Sequence, residues 1–309
     1  MIRRILPYLV LAWLGTGATC ERTLELDIEQ PPPRLVVNSS FTLGEKVRVA
    51  VSESQSIESN TRPVYLANAE VSLLQGEDIL EVLALVIDSA ERIEPYYTTV
   101  LFEPEAATAY TVKVEAIGYE TVEAHSFIPE PVAFSRLEAS QPLEIPASRD
   151  FNRRYAYDVS LDFDDPVDQE NFYHLNLFQE IHSYALSLNG DTMVIDSRLM
   201  RADIQLEENQ AIKDAVIGGL LLRDNPSNMG YDFPIEVEIT PEFEFLGKVF
   251  AELRTVSKEY YLYYSTYSRQ QRQTDGPFND PVVLFNNVEN GHGYFAGYNT
   301  TQDSVSVNF

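Results

Sequence analysis

The chain contains a single cysteine, Cys20, in 309 residues, which excludes a disulfide framework and a cysteine-ligated metal centre. Stability must therefore come from packing. Basic residues are few as well: 22 Lys and Arg stand against 48 Asp and Glu, for a formal net charge of -26. Such a surface repels phosphate backbones and anionic lipid, so nucleic-acid binding through a basic patch is excluded. There are four histidines, His125, His174, His182 and His292, and none forms an His-Glu-x-x-His pair. His174 and His182 could at most converge across a hairpin. A Gly-x-Ser-x-Gly elbow is missing. Gly291-His292-Gly293 lacks the Gly-Lys-Ser/Thr ending of a phosphate-binding loop and reads as a tight turn whose glycines supply positive φ. No apolar run reaches the ~20 residues needed to span a bilayer.

The first twenty residues carry a clear pattern. Met1-Ile2-Arg3-Arg4 is a positive n-region, Ile5 to Gly15 is an apolar h-region, and small residues lead to Cys20. This is the layout of a secretory signal. A lone cysteine at the cleavage point reads as a lipid-attachment residue, although Gly17 stands where Leu or Val is commoner. An ordinary signal with an incidental cysteine is the alternative. Residues 1–19 are thus expected to be a lipoprotein signal peptide, with lipid on Cys20 as the sole anchor. Residues 20–33, ending in Pro31-Pro32-Pro33, read as a semi-rigid polyproline tether.

Strand signals dominate the rest. Val47, Val49 and Val51 alternate, as do Ala69, Val71 and Leu73, then Tyr110, Val112 and Val114 before a turn at Ile117-Gly118-Tyr119. Short strands separated by turns predict a β-sandwich over residues 34–130. Pro129, Pro131, Pro142 and Pro146 mark 131–149 as a linker, because proline removes ladder donors. A second β-rich domain is expected over 150–309, with alternation at Tyr157 to Phe163, Tyr173 to Leu177 and Phe233 to Ile239, and a short helix within Glu207 to Val216.

One helix in the C-terminal third has a fuller signature. Ser257 can cap it, Glu259 sits in its first turn, and Tyr260, Tyr264, Tyr267 and Gln271 fall at helical spacing. Arg269 and Arg272 suit its C-terminal end, and Gly276-Pro277 would stop it. The competing strand alternation uses Tyr261 and Tyr263.

These motifs resemble uncharacterised outer-membrane lipoproteins of the Bacteroidetes that carry a domain of unknown function and often lie beside TonB-dependent receptors. The resemblance rests on Cys20, Leu35-Val36-Val37-Asn38, the Gly118-Tyr119 hairpin, Asp165-Pro166 leading to Asn171-Phe172-Tyr173, and the tyrosine-rich helix. Gly276-Pro277-Phe278-Asn279 and the block from Asn287 to Tyr298 complete it. It implies an N-terminal immunoglobulin-like or carboxypeptidase-regulatory-like sandwich, a second β-rich domain, and a place in the bacterial envelope. It carries over no catalytic residue.

Two groups of residues remain as candidate sites. Asp162, Asp164, Asp165, Asp168 and Glu170 supply hard oxygen ligands of the kind Ca²⁺ prefers, but without EF-hand spacing. The bland reading is a solvated acidic loop. Tyr260, Tyr264, Tyr267, Tyr294, Phe295 and Tyr298 are candidate interface anchors, since aromatic rings bury much area at small entropy cost; a core role accounts for them equally well. The expected function is therefore non-enzymatic: an accessory or ligand-binding partner of a TonB-dependent transporter in nutrient uptake. It would be lipid-anchored at the outer membrane, with the cell surface favoured. A structural subunit of an outer-membrane assembly or export complex, or a glycan or peptide hydrolase using two distant carboxylates, is the alternative.

Overall fold

Period-two burial runs through almost every element of the computed structural model, which describes residues 32–308 apart from 57–61, 88–92, 167–168, 188, 205–210, 214–215, 224–229 and 273–281. The signal segment, Cys20 and nearly all of the tether lie outside the described residues. The first half supplies β1 (Leu35–Thr42), β2 (Arg48–Glu53), β3 (Glu70–Gln75), β4 (Asp78–Val82), β5 (Ala84–Val86), β6 (Tyr96–Thr98), β7 (Ala109–Glu115), β8 (Val122–Phe127), β9 (Phe134–Ala139) and β10 (Leu143–Ile145). The second half supplies β11 (Arg153–Phe163), β12 (Phe172–Leu186), β13 (Thr192–Arg201), β14 (Ala211–Lys213), β15 (Leu220–Arg223), β16 (Tyr231–Ile239) and β17 (Glu244–Val256). Helix α1 (Lys258–Arg272), β18 (Val288–Glu289) and β19 (His292–Ser306) complete the chain. The fold is mainly β, with its one described helix in the C-terminal third.

A ten-stranded sheet runs in the order β14-β15-β12-β17-β19-β1-β2-β6-β5, with β13 beside β12. It joins β1 to β19, the first and last strands among the described residues. β1 and β19 pair in parallel, from Val36 opposite His292 to Thr42 opposite Tyr298. Two smaller sheets, β18-β8-β7-β3-β4 and β10-β11-β16 with β9 on β11, are its packing partners.

Side-chain parity shows which face each layer covers. The odd-numbered Leu35, Val37 and Phe41 of β1 and Phe295 of β19 enter a core with Val71, Leu73, Val112 and Val114 of the five-stranded sheet. The odd-numbered Tyr173, Leu175 and Leu177 of β12 and Val249, Ala251 and Leu253 of β17 enter a second core with Tyr157, Val159, Phe233 and Ile235 of the four-stranded sheet. Even-numbered Phe172, Val256 and Ala296 pack with Tyr260 of the helix instead. Since successive strand residues point to opposite faces, both small sheets cover one face of the long sheet and α1 lies on the other.

Three sequence expectations change here. Residues 131–149 are not a free linker. β9 and β10 both pair with β11, Ala139 opposite Val159 and Leu143 opposite Ala156, and Pro142 occupies the gap between the two short partners. The prolines sit at strand ends, where no ladder donor is needed. Within 207–216, Ala211–Lys213 is a strand paired with β15 and not a helix; most of the remainder lies outside the described residues. Finally, the 34–130 sandwich does not close its own core, because Val288 and Phe295 complete it. Pro33–Phe309 form one compact unit.

Candidate functional site

Helix α1 begins where the sequence places its cap. Ser257 Oγ accepts the Tyr260 amide at 3.3 Å, and the Ser257 carbonyl accepts the Tyr261 amide at 3.1 Å. The cap is pinned to the sheets on both sides. The Ser257 amide donates to the Gly297 carbonyl at 2.9 Å, and the Ser126 hydroxyl of β8 lies 3.1 Å from Ser257 Oγ and 3.0 Å from Glu259 Oε2. Gly297 is required at this junction, since a Cβ there would lie 2.1 Å from the Phe127 carbonyl oxygen. Tyr260, Ser265 and Ser268 face inward, and the two small serines let the helix lie close to the strands.

The flank of the helix that faces β19 and β1 is a tyrosine cluster. Tyr263 stacks on Tyr294 with ring centroids 3.8 Å apart, and Tyr267 continues the row at 6.0 Å from Tyr263. Tyr264 packs 4.5 Å from Tyr260, and its hydroxyl lies 2.9 Å from that of Tyr294, which also accepts from Ser40 Oγ at 3.3 Å. Burial raises the phenol pKa of Tyr263 to about 12, helped by Tyr264 and Tyr267. Tyr294 and Tyr298 are raised as well, again chiefly by burial. These rings are half-buried, neutral and held in place.

Behind them runs a polar chain, buried at Tyr260 and His174 and half-buried at Arg254 and Glu252. Burial opposes the charge of Arg254, but Tyr260 and Glu252 outweigh it and hold the guanidinium protonated. Its Nε lies 3.0 Å from Glu252 Oε1, and its guanidinium sits 5.0 Å above the Tyr298 ring. The Tyr260 hydroxyl is 3.1 Å from His174 Nδ1, and His174 Nε2 is 2.6 Å from the Gly218 carbonyl oxygen, which fixes Nε2 as the protonated nitrogen. Arg254, Glu252 and Tyr298 also line a polar depression of about 440 Å³ with Thr42, Asn299 and Gln302.

The candidate anchors therefore divide. Tyr260 is 1% exposed and Phe295 0%, so both are core residues and not interface anchors; Phe295 stacks on Phe41 at 4.3 Å. Tyr264, Tyr267, Tyr294 and Tyr298 stay partly accessible. Tyr263, Ser40 and Arg254 join them without having been singled out from the sequence. Tyr263 lies one helical turn before Tyr267, a spacing that the competing strand alternation obscured.

The acidic residues disperse. The Arg136 guanidinium, 2.7 Å away, holds Asp162 below the usual carboxylate range. Asp164 is exposed, while Asp165 accepts hydrogen bonds from Asn171 Nδ2 at 2.9 Å and from the Tyr173 hydroxyl. Glu170 pairs with Arg223 at 2.8 Å and Lys258 at 3.5 Å, and Asp168 lies outside the described residues. Among the described residues, no group of three or more His, Cys, Asp or Glu is placed to hold a metal. His174 and His182 do not converge, since both lie on β12, one buried under the helix and the other paired with β13.

Among the described residues, two hydroxyls meet a histidine: Thr111 Oγ1 lies 2.7 Å from His125 Nδ1, and Ser197 meets His182. His182 lies opposite Ser197, with Nδ1 2.6 Å from Ser197 Oγ and Nε2 3.3 Å from Glu180 Oε2. The Ser197 amide is engaged by Asp196 Oδ1 at 2.9 Å, so it is not available to an oxyanion.

Residues 21–304 match the family described as Domain of unknown function (DUF4249). The chain belongs to that family. No curated protein matches it. Among solved structures it is similar to the three N-terminal domains of the bacteriophage RB49 Highly Immunogenic Outer Capsid protein (Hoc). That match has 14% identity and a TM-score of 0.21, covering 73% of this chain and 64% of that one. This DUF4249 chain thus spans just under two thirds of the length of that structure.

Proposed function

We propose that this DUF4249 protein is a non-enzymatic lipoprotein of the Bacteroidetes outer membrane, anchored through Cys20. It would act by contact as the accessory or ligand-binding partner of a TonB-dependent β-barrel in nutrient uptake. The observation that carries the proposal is the row Tyr267, Tyr263 and Tyr294: half-buried rings fixed between a capped helix and the long sheet. Rigid aromatic side chains are preferred interface anchors because little entropy is lost when a partner covers them. The residues of the proposed interface are Tyr263, Tyr264, Tyr267, Tyr294 and Tyr298, with Tyr260 supporting them from the core; Phe295 packs on the opposite face of the sheet.

Purification from detergent-solubilised membranes tests the reading. The wild-type chain is expected to bring down a barrel, whereas Tyr263→Ala with Tyr267→Ala, still folded, loses it. Retention of the barrel by that folded variant would sink the proposed interface. Recovery of an assembly or export complex would point to the structural-subunit alternative. Cys20→Ala is expected to move the protein to the soluble periplasmic fraction.

A serine-hydrolase reading, distinct from the paired-carboxylate alternative, draws on a specific observation, the Ser197-His182-Glu180 row. It predicts covalent labelling of Ser197 by a fluorophosphonate, abolished in His182→Ala. The contact reading predicts no labelling.

A further inference from the structure

Strand β13 presents an open edge. Among the described residues it pairs only with β12, and no strand lies along its other side. Nine of its ten residues are exposed, with Met193 at 58%, Ile195 at 61% and Leu199 at 58%. An edge of this kind offers a row of amides and carbonyls to another chain, and folds blunt it with proline, charge or brevity. β16, the other long edge, is blunted: Pro234 interrupts it, and Glu236 and Glu238 stand along it. β13 carries no proline.

The Ala202 amide, next after the strand, donates to the Leu177 carbonyl of β12 at 2.9 Å, so even-numbered residues turn their backbone groups inward. Backbone groups alternate along an antiparallel strand, and those of Ser197, Leu199 and Arg201 therefore face the open side. The Ser197 amide accepts no free ride there: it donates to Asp196 Oδ1 of its own strand at 2.9 Å. A bulge leaves Ile195 with no opposite residue on β12, which ends the regular stretch. Asp196 and Arg198 flank Ser197, and Ile195 and Leu199 flank them in turn. The sequence about Ser197 is thus complementary to its own reverse, acid against base and aliphatic against aliphatic. Arg198 also pairs with Glu244 of its own chain at 2.8 Å, which leaves the other donors of its fork for a second carboxylate.

We propose that β13 pairs with β13 of a second copy of this chain, antiparallel, with Ser197 on the two-fold axis. In that register Asp196 of each copy falls opposite Arg198 of the other, and Ile195 falls opposite Leu199. Opposite charges directly across an antiparallel pair stabilise it, and like charges destabilise it. The neighbouring two-fold registers fail on this count: an axis through Asp196 sets that carboxylate against its own copy, and one through Arg198 does the same with the guanidinium. The contact is isologous and closes on itself, so it yields a dimer and not a filament. A ladder confined to Ile195–Leu199 of each copy falls short of the ~1,200 Å² of a stable interface, so the association is weak and reversible. It shares no residue with the tyrosine row, and neither reading depends on the other.

Charge reversal tests the register. Native mass spectrometry of the full chain in detergent is expected to show a wild-type dimer whose share grows with concentration. In Asp196→Arg two arginines meet across the axis, and in Arg198→Asp two aspartates do. Each variant alone is expected to lose most of the dimer. Mixed in equal amounts, the two restore both opposite-charge pairs, and a heterodimer of intermediate mass is expected. A wild type that stays monomeric even at millimolar concentration would overturn the proposal. So would single variants that dimerise like the wild type, or a folded mixture that gives no heterodimer. Melting curves check that both variants fold. If Arg198→Asp, deprived of Glu244, does not, Ser197→Cys carries the test. A short bis-maleimide is expected to join two copies through position 197 but not through Leu143→Cys, an exposed site on β10, with the wild type and its Cys20 as the background. Equal joining at the two positions would overturn the pairing.

Discussion

Tyr263 and Tyr294 lie face to face, with centroids 3.8 Å apart and planes 23° from parallel, and this pair ties the C-terminal helix to the last strand. The contact divides the aromatic residues of the region into two energetic classes. Rings on the core side hold the fold together. Rings on the outer flank are held by it.

Substitution separates those classes. Phe295→Ala removes a fully buried ring stacked on Phe41 and is expected to cost about 3–5 kcal/mol. Tyr267→Ala, on the outer flank, is expected to cost less than about 1 kcal/mol. Urea denaturation of both variants, with unchanged m values, checks the contrast.

Gly297 predicts a steric failure. A methyl group there would meet the Phe127 carbonyl oxygen at 2.1 Å, and the obstacle is backbone that cannot rotate away. Gly297→Ala is expected to lower the melting temperature sharply and to expose the helix cap to hydrogen exchange. A melting curve like that of the wild type would show that β8 and β19 are not so closely apposed.

Alkaline titration reads the tyrosine cluster directly. Burial raises the folded-state pKa of Tyr263 to about 12, above its ordinary value of 10.0. A raised pKa favours the protonated folded form, so this contribution is fully present below about pH 10 and is lost as pH rises toward about 12. Denaturant midpoints measured from pH 8 to 12 are expected to fall across that window, and to fall less steeply in Tyr263→Phe.

Limited proteolysis tests the pairing of β9 and β10. Residues Phe134–Ala139 and Leu143–Ile145 are held on β11 and are expected to resist cleavage. Rapid nicking inside either strand would restore the linker.

Strand identities were legible because alternation such as Val47, Val49 and Val51, or Phe233, Ile235 and Val237, reports a half-buried pleat directly. The helix was legible through Ser257, Glu259 and the arginines at its end. Residues 131–149 misled because prolines at strand ends look locally the same as prolines in a linker, and only pairing with β11 separates the two. The anchors were only partly legible. Tyr260 and Tyr264 share the helical spacing, but which is buried depends on Arg254, His174 and Ala296, brought together from distant strands.

The parallel pairing of β1 with β19 has a consequence for the order of events during folding. The first strand of the fold waits for the last, more than 250 residues later, before its outer edge and its core are complete. Long loop closure is slow, and an unfinished edge is open to wrong partners. A chain emerging in sequence can assemble hairpins such as β3–β4 and β7–β8 early, but its N-terminal half cannot lock until Phe295 arrives. That delay keeps the N-terminal half unlocked until β19 has been made, and makes β1 the segment that most needs shielding in the interval.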